Sequence, residues 1–115
     1  MAALLNLPTI EKGATYRHKL VWNDTLGAPI NLTGATVKMQ VRTTVTSPDT
    51  LLELSTENSR ILITALTGTI ELVITATDTA ALEGRGGAYD LEVSQGGVIT
   101  RLIEGRVVFK DEVTR

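Results

Sequence analysis

Apolar and polar residues alternate with period two along most of this chain, the spacing of strands with one buried face. Between positions 14 and 22, Ala14, Tyr16, His18, Leu20 and Trp22 share one side, and Thr15, Arg17, Lys19 and Val21 share the other. Between 35 and 43, Ala35, Val37, Met39 and Val41 point inward while Thr36, Lys38, Gln40 and Arg42 point outward. The stretches "NDTLGAPI" and "TSPDT" carry the Asn, Asp, Gly, Ser and Pro residues of turns. Ile30 and Leu32 lead into a turn at Thr33-Gly34. Residues 51–54 read as a short strand, followed by the turn "STENSR".

Two hairpins follow. Residues 60–66 and 69–76 flank Thr67-Gly68, and a two-residue loop there sets Ile63 against Leu72 and Ile61 against Ile74. In the last hairpin, a turn at Gly96-Gly97 sets Glu92 against Arg101 and Leu91 against Leu102. Gly105 then interrupts the alternation as a bulge or bend, and Val107 and Phe109 resume inward. Between the hairpins, "ATDTAALEG" is the one helical signal. Thr77 is its expected cap, Asp78 suits its positive end, and Gly84 stops it. "GRGG" reads as a corner.

About seven or eight short strands with one short helical turn predict an all-β fold, an antiparallel immunoglobulin-like β-sandwich. A small closed barrel is the alternative. The expected division is an N-terminal arm over 1–11, the sandwich over 12–110 and a C-terminal tail over 111–115.

At 115 residues the chain fits one domain. Its apolar content of 43% suits a packed core, but only 3% of residues are aromatic. Val, Ile, Leu and Ala must therefore fill the interior. With no cysteine, disulfides and thiolate metal sites are excluded. The net charge of −2, with cations scattered singly, argues against nucleic acid as partner. The apolar start "MAALLNLPTI" lacks a basic opening and breaks at Asn6 and Pro8, so neither a signal peptide nor a membrane span is expected. It reads either as a frayed end or as an arm packed on a neighbouring subunit.

No catalytic, cofactor-binding or metal-binding residue is assigned, and no enzyme activity is expected. His18 is the sole imidazole, and its face-mates Tyr16 and Leu20 supply no second zinc ligand. Asp90 and Glu92 share a strand face, but Arg101 stands ready to neutralise Glu92. "GRGG" precedes a strand rather than a helix, so it lacks the helix N-terminus that binds phosphate. A carbohydrate-binding module is the weaker reading, because such modules present aromatic platforms and this chain has few aromatics.

Surface is what stands out. Ile99 and Ile103 fall on the face opposite Leu91, Val93 and Leu102, and Leu62 and Val73 fall opposite Ile63 and Leu72. Apolar residues on both faces of a strand imply either a deeply central strand or a partner surface, and beside charges, as in "VITRLIE", they suit an interface rim. Three sets of contact residues are expected: Leu4, Leu5 and Leu7 in the arm; Ile99, Arg101 and Ile103 in the last hairpin; Tyr16 and His18 on a rim.

One stretch, "KGATYRHKLVWNDTLGAPINLTGATVKMQVR" (12–42), resembles the opening of small phage-encoded β-sandwich proteins, above all the N-terminal domain of phage baseplate upper proteins. "INLTGATV" stands in the place of that family's "DLTGATV", with Asn31 for the usual Asp, and Ala14 stands where Asp is common. "TGTIELVITATDTAALEGRGGAYDLEV" (67–93) is similar to its later half. The chain ends at Arg115 without the stalk region of longer members. The resemblance implies a virion structural protein, made in the bacterial host cytoplasm and acting as a baseplate or tail-fibre adaptor, with capsid decoration as the alternative. It implies other phage structural proteins as partners, a homo-oligomer, and neither nucleic acid nor membrane as ligand.

Overall fold

A computed structural model describes residues 3–113. Residues 1, 2, 114 and 115 of the expected arm and tail lie outside the described residues. Among the described residues, nine strands run in the order β1 (Ala3–Leu4), β2 (Ile10–Glu11), β3 (Tyr16–Val21), β4 (Thr36–Arg42), β5 (Leu52–Ser55), β6 (Ile61–Thr64), β7 (Thr69–Ile74), β8 (Gly86–Gln95) and β9 (Val98–Lys110). One short helix, α1 (Ala76–Ala80), joins β7 to β8.

The strands form two packed sheets. The six-stranded sheet has the order β1-β9-β8-β4-β5, with β2 also on β9, and the three-stranded sheet has the order β3-β7-β6. This is the strand arrangement of an immunoglobulin-like sandwich, with a B-E-D sheet facing a G-F-C-C′ sheet. Inward side chains from both sheets meet in the core: Val37, Met39, Val41, Leu54, Tyr89, Leu91 and Val93 from one, Tyr16, Ile61, Ile70, Leu72 and Ile74 from the other. Each such aliphatic side chain contributes roughly 1.5–3 kcal/mol by leaving water.

Both hairpins form, each with a different register from the expected one. Around 65–68 the chain makes a 3-10 turn that ends on left-handed Gly68, a four-residue loop. Ile61 therefore pairs with Leu72 and Ile63 with Ile70. This slip spans two residues, so every side chain keeps its face. In the last hairpin Gly96 and Gly97 both adopt positive φ (58° and 82°), the requirement of a tight primed turn. Glu92 pairs with Arg101 as expected, but Leu91 pairs with Ile103, because a bulge makes Leu102 an extra residue. The bulge thus lies at Leu102 rather than at Gly105.

The helix also starts earlier than expected. Thr75, not Thr77, is the cap, and its side chain accepts a hydrogen bond from the Asp78 N–H. Thr79 of the helix is fully buried. Its hydroxyl accepts from the Gly13 N–H at 3.0 Å and lies 2.8 Å from the Ala14 carbonyl oxygen, which anchors the entry to β3.

The arm lies along its own β9. Ala3 pairs with Ile103 and Ile10 with Phe109, both parallel. Leu5 and Leu7 donate backbone N–H groups to the carbonyls of Glu104 and Arg106. Gly105 is needed for this approach, since a Cβ there would overlap the Leu5 carbonyl oxygen. The Tyr89 hydroxyl donates to that same Leu5 oxygen, and Asn6 Oδ1 takes the Arg106 N–H that pairing would otherwise send to it.

Candidate contact surfaces

The residues expected to form contacts divide between surface and core. In the arm, Leu4 is 83% exposed and Leu5 is partly exposed, but Leu7 is buried. Leu7 is a correction to the expected patch: it follows the crossing at Leu5 and turns into the seam between the sheets. Tyr16 is a second correction, being 7% exposed in the core rather than on a rim. Its hydroxyl donates to the Pro8 carbonyl at 3.1 Å, so its polar tip is satisfied within the chain. His18, half-buried on the same face of β3, stays at the border of the interior.

The third correction concerns the last hairpin. Ile99 is 68% exposed, whereas Ile103 is 8% exposed and packs in the core. A bulge turns two successive residues toward one side, so Leu102 and Ile103 both lean inward and the alternation changes phase. Ile99 and Ile103 therefore lie on opposite faces and cannot form one patch with Arg101.

Arg101 instead belongs to a charged stripe on the outer face of the six-stranded sheet. Its guanidinium meets Glu92 at 3.0 Å and Asp90 at 3.3 Å. On the neighbouring strand, Gln40 bonds Glu53 and Arg42 bonds Gln40, each at 3.0 Å. A shallow depression of about 220 Å³ lies over this stripe, lined by Gln40, Arg42, Asp90, Arg101 and Glu104 among others. Partial burial raises the Asp90 carboxyl above its usual value, with Arg101 pulling it back and Glu92 and Glu104 raising it further. The Arg101 guanidinium is held above its usual value, first by its hydrogen bond to Glu92. The stripe is a set of mutually neutralised charges, suited to fixing register and orienting a partner.

The two core tyrosines are a different chemical case. Burial pushes the Tyr16 hydroxyl up to about 12, and burial together with Tyr16 does the same for Tyr89. Both stay protonated at neutral pH, and both donate to arm carbonyls.

A surface that sequence reasoning missed lies at the end of the sandwich where the 22–35, 65–68 and 96–97 loops meet. Leu26 is 93% exposed at the tip of the first loop, and Leu66 and Val98 join Ile99 in exposure. These side chains sit on restrained backbone. Asp24 Oδ1 accepts from the N–H groups of Leu26 and Ala28, and Asn23 bridges to Pro29. Asn31 Oδ1 accepts from Thr33 in an Asx turn. The Gln95 amide donates to the carbonyls of Asn31 and Thr33, and Leu32 N–H donates to Ala65. The available signal was a large aliphatic residue inside two of the turns, at Leu26 and Leu66, and directly after the third, at Val98, where polar residues are usual.

Among the described residues, no three His, Cys, Asp or Glu side chains gather at a spacing that could hold a metal ion. No helix there is long and apolar enough to cross a membrane. No protein-family model and no curated protein matches the sequence.

Proposed function

We propose that this chain is a bacteriophage virion structural protein, a baseplate or tail-fibre adaptor that acts through protein–protein contact. The observation that carries this reading is the loop end. Leu26 and Leu66 are exposed there on loops, and Val98 and Ile99 at the start of β9, in segments already tied together by hydrogen bonds. A pre-ordered apolar surface loses little conformational freedom on docking, which favours a contact role. The resemblance of residues 12–42 and 67–93 to phage baseplate proteins supplies the kind of particle. The charged stripe around Arg101 supplies an orienting element beside the apolar end.

Mass spectrometry of purified phage particles tests the reading directly. The chain should occur as a stoichiometric component, cross-linked to tail or baseplate proteins through the loop end. Cross-links to the shell protein would instead support capsid decoration. Absence from particles, together with a strict monomer by light scattering, would defeat both.

A further inference from the structure

The four outer edges of the sandwich are treated differently by the chain itself. Three are closed or blunted. The β9 edge is covered by the arm, and the arm's own outer edge carries Pro8, which has no N–H to offer. Pairing with β4 leaves the backbone groups of Glu53 and Ser55 facing outward on β5. Two of these four groups are capped by side chains: the Glu53 carbonyl accepts from Asn58 Nδ2 and Arg60 Nη1, and the Ser55 N–H donates to Asn58 Oδ1. The β6 edge is only four residues long.

The β3 edge has none of these protections. The Trp22 N–H donates to the Gly68 carbonyl, and this sets the phase of the β3–β7 ladder. Alternation then turns the backbone groups of His18 and Leu20 toward β7 and those of Arg17, Lys19 and Val21 outward. No backbone hydrogen bond among the described residues reaches those outward groups. The side chains flanking them are of two kinds. Arg17 and Lys19 are exposed cations on the outer face, while His18 and Leu20 are half-buried on the inner face.

We propose that the β3 edge is a strand-addition site for an extended partner segment that alternates acidic and apolar side chains. Acidic residues of the added strand would lie beside Arg17 and Lys19, and its apolar residues would cover His18 and Leu20. Glu71 serves both cations, lying 3.7 Å from Arg17 and directly across the ladder from Lys19, so one carboxylate stands against two positive charges and the edge keeps a positive excess. A second copy of β3 is a poor occupant, because antiparallel pairing of two such edges sets cation against cation. This deepens the assembly reading by naming a surface and the chemistry of its partner.

The test is a chimera carrying a Glu-Val-Glu-Val-Glu-Val segment after Arg115, joined by a flexible linker of about ten residues. Glu112, three residues before the fusion point, lies against Gly13 just ahead of β3, a distance the linker can bridge. Hydrogen exchange of individual amides is compared with a chimera carrying Lys-Val repeats. The expected result is slowing of the Arg17, Lys19 and Val21 amides by about tenfold or more in the acidic chimera alone. In the double variant Arg17→Glu/Lys19→Glu the preference should reverse to the basic chimera. Equal slowing by both segments, protection of Ile61 and Ile63 instead, or no slowing in either chimera overturns the proposal. Any of these results with the chain nevertheless present in phage particles leaves the assembly reading standing and removes only this edge.

Discussion

The two sheets differ in how they end. The six-stranded sheet is finished on both sides by the chain itself, with the arm on β9 and the side chains of Asn58 and Arg60 on β5. The three-stranded sheet ends on β3 with outward backbone groups that no described backbone group meets. Yet both sheets are equally well packed inside, with Leu54, Leu91, Leu72 and Ile70 all fully buried. Burial of a sheet's face and protection of its edge are therefore separate properties. Face burial follows from alternation. Edge protection needs a particular segment to arrive from elsewhere.

The contrast is most sensitive at Ile103, where arm and core meet. Ile103→Asp should cost about 4 kcal/mol, since it removes a buried side chain and places a carboxyl in the interior. Chemical denaturation measures it, and a loss under about 1 kcal/mol would put Ile103 on the surface after all. Gly105→Ala should cost about 2 kcal/mol by pushing the Leu5 backbone off β9. The amides of Leu5 and Leu7 should lose their exchange protection in the same variant. If the arm stays protected, Gly105 is not what admits it.

Alkaline titration probes the tyrosines that hold the arm. Their folded values, about 12, lie above the unfolded value of about 10. The neutral form is thus favoured by folding. That stabilisation is fully present below pH of about 10 and is lost as pH rises through about 12. The denaturation midpoint should fall across this window, in step with tyrosinate absorbance. A midpoint that declines well below the window would assign the loss to other groups.

On the opposite edge, Asn58→Ala removes the partners of Ser55 N–H and one bond to Glu53, for a cost of about 1 kcal/mol. Self-association should rise, because β5 becomes an open edge, and sedimentation velocity would detect it. The smallest effect on folding is expected for Ile99→Asp, within about 0.5 kcal/mol. Under the proposed virion role, incorporation into particles should nonetheless drop, which separates the loop end from the core far more cleanly than Ile103 can.

The two hairpins show how much of this architecture was legible in the sequence. Apolar positions of β6 and β7 were assigned to the right face although the loop was two residues longer than expected, because an even slip conserves faces. In β8–β9 the same reasoning placed Glu92 against Arg101 correctly and then failed at Ile103, because one extra residue changes parity. Nothing local marks Leu102 as that residue: it is one apolar side chain in a run of them. Leu7 and Tyr16 were misplaced for a related reason. Their burial depends on where the arm crosses, and the arm's pairing with β9 spans about a hundred residues of chain.

Alternation by itself determined the class of fold, the inward faces of β3, β4, β7 and β8, and the tight turn at Gly96-Gly97. These are short-range matters, settled by the hydrophobic effect acting on a period of two and by the backbone freedom of glycine. Long-range packing set the bulge at Leu102, the docking of the arm over Gly105, the gathering of Leu26, Leu66, Val98 and Ile99 at one end, and the open edge of β3. Each depends on which distant segment satisfies a given row of backbone groups. That choice rests on the free energy of the assembled chain, and no local pattern contains it.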